Sequence, residues 1–322
     1  MAQLSMLQAI RDAQFEEMKR DPRVFLMGED IRTNVFGTTT GFLEAFEDQR
    51  ILNTPICEAG FIGAAAGAAM VGARPVVDMT IASFVYPAMD QLISNVAKSS
   101  YLFGGQTSVP ITVRAVMFYN GNNAAQHSDR PYPMFMGVPG LKIIAPANPY
   151  DMKGLLKSAI RDDNPVLCFE DVTLWGMKGE VPDEDYTVPI GKAKIVREGT
   201  DVTITANSGA VRIALQGAEE LDGEGISAEV VDLRSLAPLD RATILESVAK
   251  TGRLVAVDIA HLTCSAASEI AATVAERAFW DLKGPIQRVT TPDTHLPFSP
   301  GLEKQLYPDK DKVIAAVRET MA

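Results

Sequence analysis

Glu58 is the first residue whose type and surroundings point to chemistry. It stands between a predicted strand and a predicted helix of small residues, in a segment that Pro55 and Gly60 punctuate. The apolar neighbours Ile56 and Phe61 offer no cation to pair with its carboxylate. A carboxyl group in apolar surroundings can hold and exchange a proton, but an acid at the start of a helix more often stabilises the helix dipole. The residues alone favour the second, structural interpretation.

His127 is the second candidate, in a polar loop at residues 121–130 that follows a predicted buried strand. Loops at the ends of parallel strands are where α/β proteins build their sites, and histidine exchanges protons near neutral pH. A surface histidine would give the same pattern, so both interpretations stay open. Phe84 could stack on a planar ring or fill the core. Cys57 adjoins an acid, which disfavours its thiolate, and is predicted to be a buried structural thiol.

The elements that must position these residues alternate between short apolar strands and helical patterns. Wholly apolar strands separated by helices indicate parallel sheets that are covered on both faces. The predicted strands are residues 24–27, 75–79, 111–115, 142–145, 166–169, 202–206, 228–233, 254–258 and 286–290. The predicted helices are residues 4–19, 60–71, 87–99, 149–161, 210–221, 241–250, 265–279 and 312–320.

This alternation predicts the α/β class, with two three-layer domains in series. The first domain is predicted to span residues 1–178 and the second residues 201–322. Between them, residues 179–200 open with a polar, acid-rich stretch that shows no periodicity, and they are predicted to be a linker.

Composition limits the classes of partner. The 322 residues carry a formal net charge of -11, with 22% charged and 47% hydrophobic residues. An acidic surface argues against binding nucleic acid or an anionic membrane, because phosphate polyanions would not be attracted. The three cysteines are far apart, which fits a reducing compartment, and no apolar run is long enough to span a membrane. We therefore expect a cytoplasmic protein.

The helix that follows Glu58 carries one face of small residues. Gly60, Gly63, Ala64 and Gly67 recur at the spacing that places side chains on one side of a helix. Their spacing does not match the Gly-x-Gly-x-x-Gly loop of dinucleotide-binding proteins. The face instead predicts close packing against another helix, across a subunit interface.

Long segments of the chain resemble the beta subunit of the decarboxylating component of 2-oxo acid dehydrogenase complexes, which include the pyruvate, branched-chain and acetoin types. The resemblance covers nearly the whole chain and implies a transketolase-like pyrimidine-binding domain followed by a transketolase C-terminal-like domain. The segments that carry it include MGED at 27–30, NTPICEAGFIGAAAGAAMVGARP at 53–75, AAQHS at 124–128, VVDLRSLAPLD at 230–240 and LPFSPGLE at 296–303.

The resemblance implies roles for individual residues. Glu58 matches the glutamate that activates thiamine diphosphate by hydrogen bonding N1′ of its aminopyrimidine ring. Phe84 matches the aromatic residue that stacks on that ring, and Ile56 a nearby backbone contact. His127 matches the histidine that assists acyl transfer to a lipoyl sulfur. Positions that bind a structural potassium ion in some members, largely through carbonyl groups, match Ile111, Ala159, Ile160, Asp162 and Asn164.

The resemblance also implies a partner chain. The family's diphosphate-binding motif, Gly-Asp-Gly followed by a more distant Asn, is not found in this sequence. A diphosphate needs a cation, so Mg²⁺ and the diphosphate are expected on an alpha subunit. The resemblance therefore implies an active site at an alpha–beta interface of an α2β2 heterotetramer, a small-molecule 2-oxo acid as substrate and a lipoyl-bearing acyltransferase as a further partner.

Two segments depart from the family pattern. After His127 and Ser128, members usually continue with Gln and an aromatic-rich stretch that ends in His, whereas here residues 129–137 contain two prolines and Arg130. A guanidinium suits a carboxylate, so Arg130 is predicted to contact an anionic group of the substrate. After Asp258 members usually have a glycine-rich loop, which residues 259–267 replace.

These departures leave other functions open. One alternative is an acetoin-type or secondary-metabolism relative that uses another acyl acceptor. A split transketolase half would use the same glutamate, but the long dehydrogenase-type match argues against it. The last alternative is a non-catalytic scaffold subunit, against which the retention of Glu58 and His127 argues.

Overall fold

The computed structural model describes residues 1–46, 48–119 and 121–322. The chain divides into two units: unit 1 comprises Met1–Phe118 and Phe135–Ile190, and unit 2 comprises Tyr119–Met134 and Gly191–Ala322. The segment that carries His127 thus belongs with the C-terminal part of the chain. The domain boundaries predicted after residues 178 and 200 do not coincide with the limits of these two units, and they stay a prediction. Within the described residues, no helix combines the length and apolar character needed to span a membrane.

The strands and helices follow in chain order. The strands are β1 (Ala2–Ser5), β2 (Val24–Gly28), β3 (Ile51–Asn53), β4 (Arg74–Ile81), β5 (Thr112–Met117), β6 (Lys142–Ile144), β7 (Val166–Asp171), β8 (Lys178–Val181), β9 (Lys194–Arg197), β10 (Val202–Ala206), β11 (Ala228–Asp232), β12 (Ser235–Ala237), β13 (Leu254–His261) and β14 (Gln287–Thr291). The α-helices are α1 (Met6–Arg20), α2 (Phe42–Ala45), α3 (Glu58–Met70), α4 (Ser99–Leu102), α5 (Ala124–His127), α6 (Tyr132–Met136), α7 (Pro149–Arg161), α8 (Gly209–Asp222), α9 (Arg241–Thr251), α10 (Ala266–Arg277), α11 (Pro300–Leu306) and α12 (Lys310–Met321).

The main sheet of unit 1 is parallel, with its strands in the order β6-β7-β5-β4-β2-β3. Every residue of β5 and β7 is buried, as expected for strands with helices on both faces. Side chains of α1 and α7, such as Ile10 and Leu156, share a core with Leu26 and Val76 of the sheet. The chain runs from β2 to β3 on one side and then to β4 on the other. The switch point of the sheet, where α/β proteins bind ligands, therefore lies between β2 and β4.

The start of unit 1 differs from the sequence prediction. The predicted helix at residues 4–19 begins later, at Met6, because Ser5 caps it in a reciprocal box with Gln8. Residues 2–5 instead form β1, which pairs antiparallel with β8 inside the acidic stretch that showed no periodicity. The predicted helix at residues 87–99 is also replaced, by a 3₁₀ helix at Ala82–Ala88 and a π-helical turn at Gln91–Val96. Pro87 lies inside the first of these and cannot donate a backbone hydrogen bond.

A buried ion network fixes the strands beneath the switch point of unit 1. The fully buried guanidinium of Arg114 donates to both carboxylate oxygens of Glu170, at 2.6 and 3.0 Å, and to Asp78 Oδ2 at 2.8 Å. Gln14 Oε1 accepts a further bond at 3.1 Å. Asp78 also accepts from the amide of Thr80, whose φ of 63° is unusual for a β-branched residue. Three neighbouring strands, β4, β5 and β7, are thereby tied together.

Unit 2 contains a second sheet with its own switch point. Its strands run in the order β14-β13-β10-β11-β9, and β9 alone among these five is antiparallel to its neighbour. The chain passes from β10 to β11 on one side and later to β13 on the other. The carboxyl ends of β10 and β13 therefore flank a crevice, near Asn207 and Asp258.

Candidate active site

Three sequence features meet at the carboxyl edge of the sheet in unit 1. Glu29 directly follows β2, Glu58 begins the helix after β3, and Phe84 lies in the 3₁₀ helix after β4. These three strands are parallel neighbours, so their carboxyl ends share one edge of the sheet. The edge is also the switch point, which is the expected position for a ligand in this class of fold.

Glu58 is the first residue of α3 and is half-buried. The cap position before it is held by Cys57, so Glu58 is not the N-cap residue, but it lies in the first turn, where a carboxylate interacts favourably with the helix dipole. Cys57 itself is exposed, so the prediction that its thiol is buried is wrong. The carboxylate of Glu58 takes part in no hydrogen bond or ion pair with the described residues. A half-buried carboxylate without a partner inside its own chain remains available to bind a ligand.

Glu29 is a functional candidate that the sequence interpretation missed. Burial is the main cause that raises its pKa, and the charges of Glu58 and Asp30 raise it further. Its Oε1 is shielded from solvent and has no hydrogen-bond partner among the described residues. A small cavity of about 60 Å³ beside it is also lined by Asp78 and Thr80. The signal in the sequence was an acid directly after an apolar strand, within the MGED motif.

The other residues predicted at the cofactor differ in exposure. Ile56 is 83% exposed, which is high for a large apolar side chain. Phe84 is half-buried within its 3₁₀ helix. On α3, the glycines and Ala64 of the small-residue face are exposed, and a Cβ added at Gly67 would meet no atom within 4 Å. The predicted partner of this helix face is therefore not found within the described parts of the chain.

His127 lies in unit 2, as the last residue of the short helix α5, and is half-buried. Arg130, three residues on, is only 4% exposed. Its guanidinium carbon lies 4.9 Å from the ring centre of Tyr119 and 4.6 Å from that of Tyr307. Its Nη1 donates to the carbonyl oxygen of Ser128. The arginine thus holds the backbone directly after His127.

The charge of Arg130 is not balanced by an acid. Its Nε and Nη2 are buried without a hydrogen-bond partner, and no carboxylate pairs with it in the parts of the chain that the structure covers. A buried cation is costly unless it is paired, although stacking on two tyrosine rings offsets part of the cost. Two directed donors are therefore left without an acceptor among the described residues.

The residues matched to a potassium site lie together in unit 1, before β5 and around the end of α7. The guanidinium Nη1 of Arg74 donates to the carbonyl oxygens of Ile160 and Asp162, at 3.1 and 3.0 Å. The carbonyl of Ile111 accepts from the amide of Val166 at 3.0 Å, and that of Ala159 from Asp162 at 3.2 Å. These four carbonyls each accept a bond already, so a cation would have to use their second lone pairs.

The side chains around this set are also engaged. Asp162 pairs with Lys142 and accepts from the amide of Asn164 at 2.9 Å. Burial acts to raise the pKa of Asp162, but these hydrogen bonds outweigh it and the pKa is lowered. The side chain of Asn164 donates to the same carboxylate. The oxygen-rich surroundings suit a cation, yet the neighbouring groups already include two cationic side chains, Arg74 and Lys142.

Comparison with known proteins defines the class. The family model described as transketolase, pyrimidine binding domain, matches residues 2–175, and the one described as transketolase, C-terminal domain, matches residues 191–313. A solved structure titled "Split gene transketolase, inactive beta4 tetramer" has a TM-score of 0.82 and 25% sequence identity, over 99% of both chains. The two-domain transketolase-like fold expected from the sequence is confirmed.

Curated relatives narrow the class to a family. The acetoin:2,6-dichlorophenolindophenol oxidoreductase subunit beta of Bacillus subtilis is 45% identical, over 99% of this chain and 97% of that protein. The 2-oxoisovalerate dehydrogenase subunit beta of the same organism is 44% identical, over 99% of both. The pyruvate dehydrogenase E1 component subunit beta of Rickettsia felis is 42% identical, over 98% of both. The chain therefore belongs to the family of beta subunits of the thiamine-diphosphate-dependent 2-oxo acid dehydrogenases, as the sequence predicted.

Proposed function

We propose that this chain works with an alpha subunit, in an α2β2 heterotetramer, to decarboxylate a 2-oxo acid and pass the acyl group to a lipoyl carrier on an acyltransferase. One observation carries the proposal: the unpartnered carboxylate of Glu58 stands at the switch point beside Glu29, whose pKa is raised. A carboxyl group whose pKa is raised, beside a second carboxylate, can hold and return a proton.

The residues of unit 1 fit the aminopyrimidine half of thiamine diphosphate. The orphaned Oε1 of Glu29 and the free carboxylate of Glu58 leave polar atoms for a ligand to satisfy. We assign Glu58 to hold the proton at N1′ of the ring, Phe84 to stack on the ring and the exposed backbone of Ile56 to contact it. When bound, the cofactor supplies a carbon nucleophile and a sink for electrons. Glu29, whose pKa is raised by burial and by the charge of Glu58, would add a second group that can hold a proton at this edge.

An alpha subunit is proposed to complete the site by holding the diphosphate and Mg²⁺. Two features of unit 1 support a partner there. Ile56, next to the proposed cofactor residues, is 83% exposed, and on the small-residue face of α3 a Cβ added at Gly67 would meet no described atom within 4 Å. Small residues allow a second backbone to approach closely, so this face suits a helix of another subunit.

In unit 2 we assign His127 to the transfer step, as a proton donor or acceptor at the acyl acceptor. Arg130 is proposed to contact an anionic group of the substrate, because its Nε and Nη2 lack a partner. For the potassium site, the carbonyls of Ile111, Ala159, Ile160 and Asp162 with Asn164 remain the proposed ligands, through the lone pairs that protein donors do not use.

The principal alternative is an acetoin-type or secondary-metabolism relative that uses another acyl acceptor. The three relatives above act on different substrates by name, yet their identities to this chain differ by only a few per cent. Identity therefore does not choose among them. A scaffold subunit is the second alternative. The unpartnered carboxylate of Glu58 argues against it, because such a group contributes little to stability and a scaffold would not need it.

The test uses the chain co-purified with a candidate alpha subunit, thiamine diphosphate and Mg²⁺, and measures carbon dioxide release from a panel of 2-oxo acids. Glu58→Gln should lower the rate by about 10²–10⁴-fold, the range for a positioned general acid or base. Glu44→Gln, which changes an exposed acid in the first turn of α2, should leave it unchanged. A complex that forms but neither binds the cofactor nor decarboxylates any acid would put the scaffold alternative first.

The same panel separates the finer assignments. Arg130→Ala should raise KM most for acids with a second anionic group, and unchanged kinetics across the panel would remove its role. Acetoin is included with the 2-oxo acids, and free lipoamide is compared with other thiols as acceptor. Replacement of K⁺ by Na⁺ should lower the melting temperature of the complex if the carbonyl set binds potassium, and an unchanged melting temperature would reject that site.

A further inference from the structure

A buried hydrogen bond in unit 2 links the first segment that departs from the family pattern to the residue directly before the second. The hydroxyl of Tyr132, in the first segment, donates to Oδ1 of Asp258, directly before the second. Both side chains are fully buried. We propose that Tyr132 and Asp258 are positioning residues that hold the segment carrying His127, and so control acyl transfer separately from decarboxylation. The inference rests on the proposed function, because it takes His127 as the residue of the transfer step.

Asp258 is itself held rigidly. Its Oδ1 accepts from the amide of Ala260 at 3.0 Å, and its Oδ2 accepts from the amide of Ala267 at 3.3 Å, at the start of α10. The side-chain amide of Asn207 lies within 3.4 Å of Oδ1. These bonds connect the ends of β10 and β13 with α10, so the carboxylate has a fixed orientation. The replaced loop at residues 259–267 therefore supplies two of the donors that aim Asp258 at Tyr132.

A second anchor holds the other side of His127. The backbone amide of Asn122 donates to Oε2 of Glu303 at 2.8 Å, and the hydroxyl of Tyr307 donates to Oε1 at 2.8 Å. Glu303 is buried, on α11. His127 lies midway along the chain between the anchored residues Asn122 and Tyr132. A segment fixed at both ends confines its centre, and release of one end would let His127 move.

Arg130 lies between His127 and the Tyr132 anchor, stacked on Tyr307. Its bond to the carbonyl of Ser128 therefore links the two anchors. A displacement of about 1 Å at a reacting group can lower a rate by about a hundredfold. Loss of the Tyr132 hydroxyl should therefore slow the step that needs His127, while the Glu58 chemistry in unit 1 keeps its rate.

The experiment compares two half-reactions of the holoenzyme reconstituted with its alpha subunit. Turnover with 2,6-dichlorophenolindophenol as the electron acceptor reports decarboxylation alone, and acyl transfer to lipoamide reports the complete reaction. Tyr132→Phe keeps the ring and removes the hydroxyl, and Asp258→Asn keeps the shape of the acceptor. We expect each variant to lower acyl transfer by about tenfold or more, with dye reduction within about twofold of wild type. The double variant should lose no more than the stronger single variant, because Tyr132→Phe removes the bond to Asp258 and Asp258→Asn weakens the same bond by removing the charge of its acceptor.

Tyr186→Phe is the matched control. It removes the hydroxyl of a different tyrosine, which is part-buried and donates to the carbonyl of Tyr150 at 2.8 Å in unit 1. It should leave the ratio of the two half-reactions unchanged. Equal loss in both half-reactions for Tyr132→Phe, no loss in either, or failure of both Tyr132→Phe and Asp258→Asn to fold would overturn the positioning role. Should only one of the two variants fold, that variant decides the outcome.

Hydrogen exchange separates this inference from the proposed function. In Tyr132→Phe, amides of residues 121–131 should exchange faster, while those of α3 stay at the wild-type rate. If the wild-type complex decarboxylates no 2-oxo acid, the proposed function fails, yet faster exchange confined to residues 121–131 would still support the anchor. Unchanged exchange there would contradict the anchor, whatever the activity.

Discussion

The two units each contain a parallel sheet with a switch point, but they treat the carboxylates there in opposite ways. In unit 1, Glu58 has no partner among the described residues, and Oε1 of Glu29 is likewise unsatisfied. In unit 2, Asp258 is fully buried and accepts hydrogen bonds from Tyr132, Ala260 and Ala267. The same topology therefore gives an open edge in one unit and a closed edge in the other.

The comparison shows that topology alone does not identify a site. A switch point brings strand ends together, and the side chains decide whether they bind a ligand or each other. Burial raises the pKa of Asp258, although its donors oppose the shift, and in unit 1 burial raises the pKa of Glu29 beside a second carboxylate. An acid whose hydrogen-bonding capacity is filled from within is structural, and one that is left unfilled is a candidate for chemistry.

The largest expected effect concerns the network beneath the open edge. Arg114→Met should lower the free energy of unfolding by about 3–5 kcal/mol, because Glu170 and Asp78 would be left buried without their cation. Urea unfolding of the variant and wild type measures it. Arg318→Met, which removes an exposed pair with Glu224, should cost less than about 1 kcal/mol. Similar losses of unfolding free energy in the two variants would show that the open edge of unit 1 does not depend on the buried ion network of Arg114.

A smaller effect is expected when the open edge loses one of its two acids. In Glu29→Gln, the acid limb of the rate profile should move to lower pH, because the profile loses the contribution of Glu29, whose pKa is raised by burial and by the charge of Glu58. Asp30→Asn is the control, since Asp30 is the weakest of the three causes acting on Glu29. It should move the limb less. An unmoved limb in Glu29→Gln would separate the two carboxylates and contradict the paired edge.

The same variant, Glu29→Gln, tests how the stability of the folded chain depends on pH. The pKa of Glu29 is raised above its ordinary value of 4.5 in the folded chain. Its contribution to stability is therefore present below that value and is lost as the pH rises through the folded pKa. Relative to wild type, Glu29→Gln should become more stable as the pH rises from about 4.5 towards neutrality. Urea unfolding at both pH values gives the sign, and a constant difference would exclude the shift.

The smallest effect is expected from two glycine-to-alanine substitutions, one on the open face of α3 and one in the packed helix α8. Gly67→Ala, on the open face of α3, meets no atom within 4 Å and should raise the stability of the isolated chain by about 0.5–1 kcal/mol. It should weaken co-purification with the alpha subunit. Gly217→Ala, in α8, would place its Cβ 3.2 Å from Val313 Cγ1 and should be the less stable of the two by about 1 kcal/mol. The reverse order of stability would contradict the assignment of the two surfaces.

Local chemistry explains how much of the fold could be predicted. The apolar run at 202–206 coincides with β10, and the predicted strand at 24–27 differs from β2 by one residue. Both strands are buried on two faces, and the residues of each strand alone indicate this burial. β1 and β8 carry no such signal, since each is a short edge strand that depends on the other. Their pairing is a long-range property, which a local pattern does not contain.

The candidate site divides along the same line. Glu58 and His127 were predicted from their motifs, and their roles stay predictions, whereas Glu29 could have been predicted because it directly follows an apolar strand. Tyr132 and Asp258 could not have been predicted, because neither residue is unusual in its own segment. The hydrogen bond between them joins positions that are 126 residues apart in the sequence. The roles of Arg130 and of the potassium set stay predictions, for the structure describes their contacts within the chain alone.

The pairing of β1 with β8 has a consequence for biosynthesis. Ala2 lies opposite Val181, so during synthesis β1 has no partner strand until residue 181 has emerged from the ribosome. At a synthesis rate of about 5–20 residues per second, this delay lasts roughly 10–35 seconds. Throughout that interval the backbone of β1 is unpaired and can pair with a strand of another chain. Until β8 has been synthesised, only chaperones can prevent such pairing.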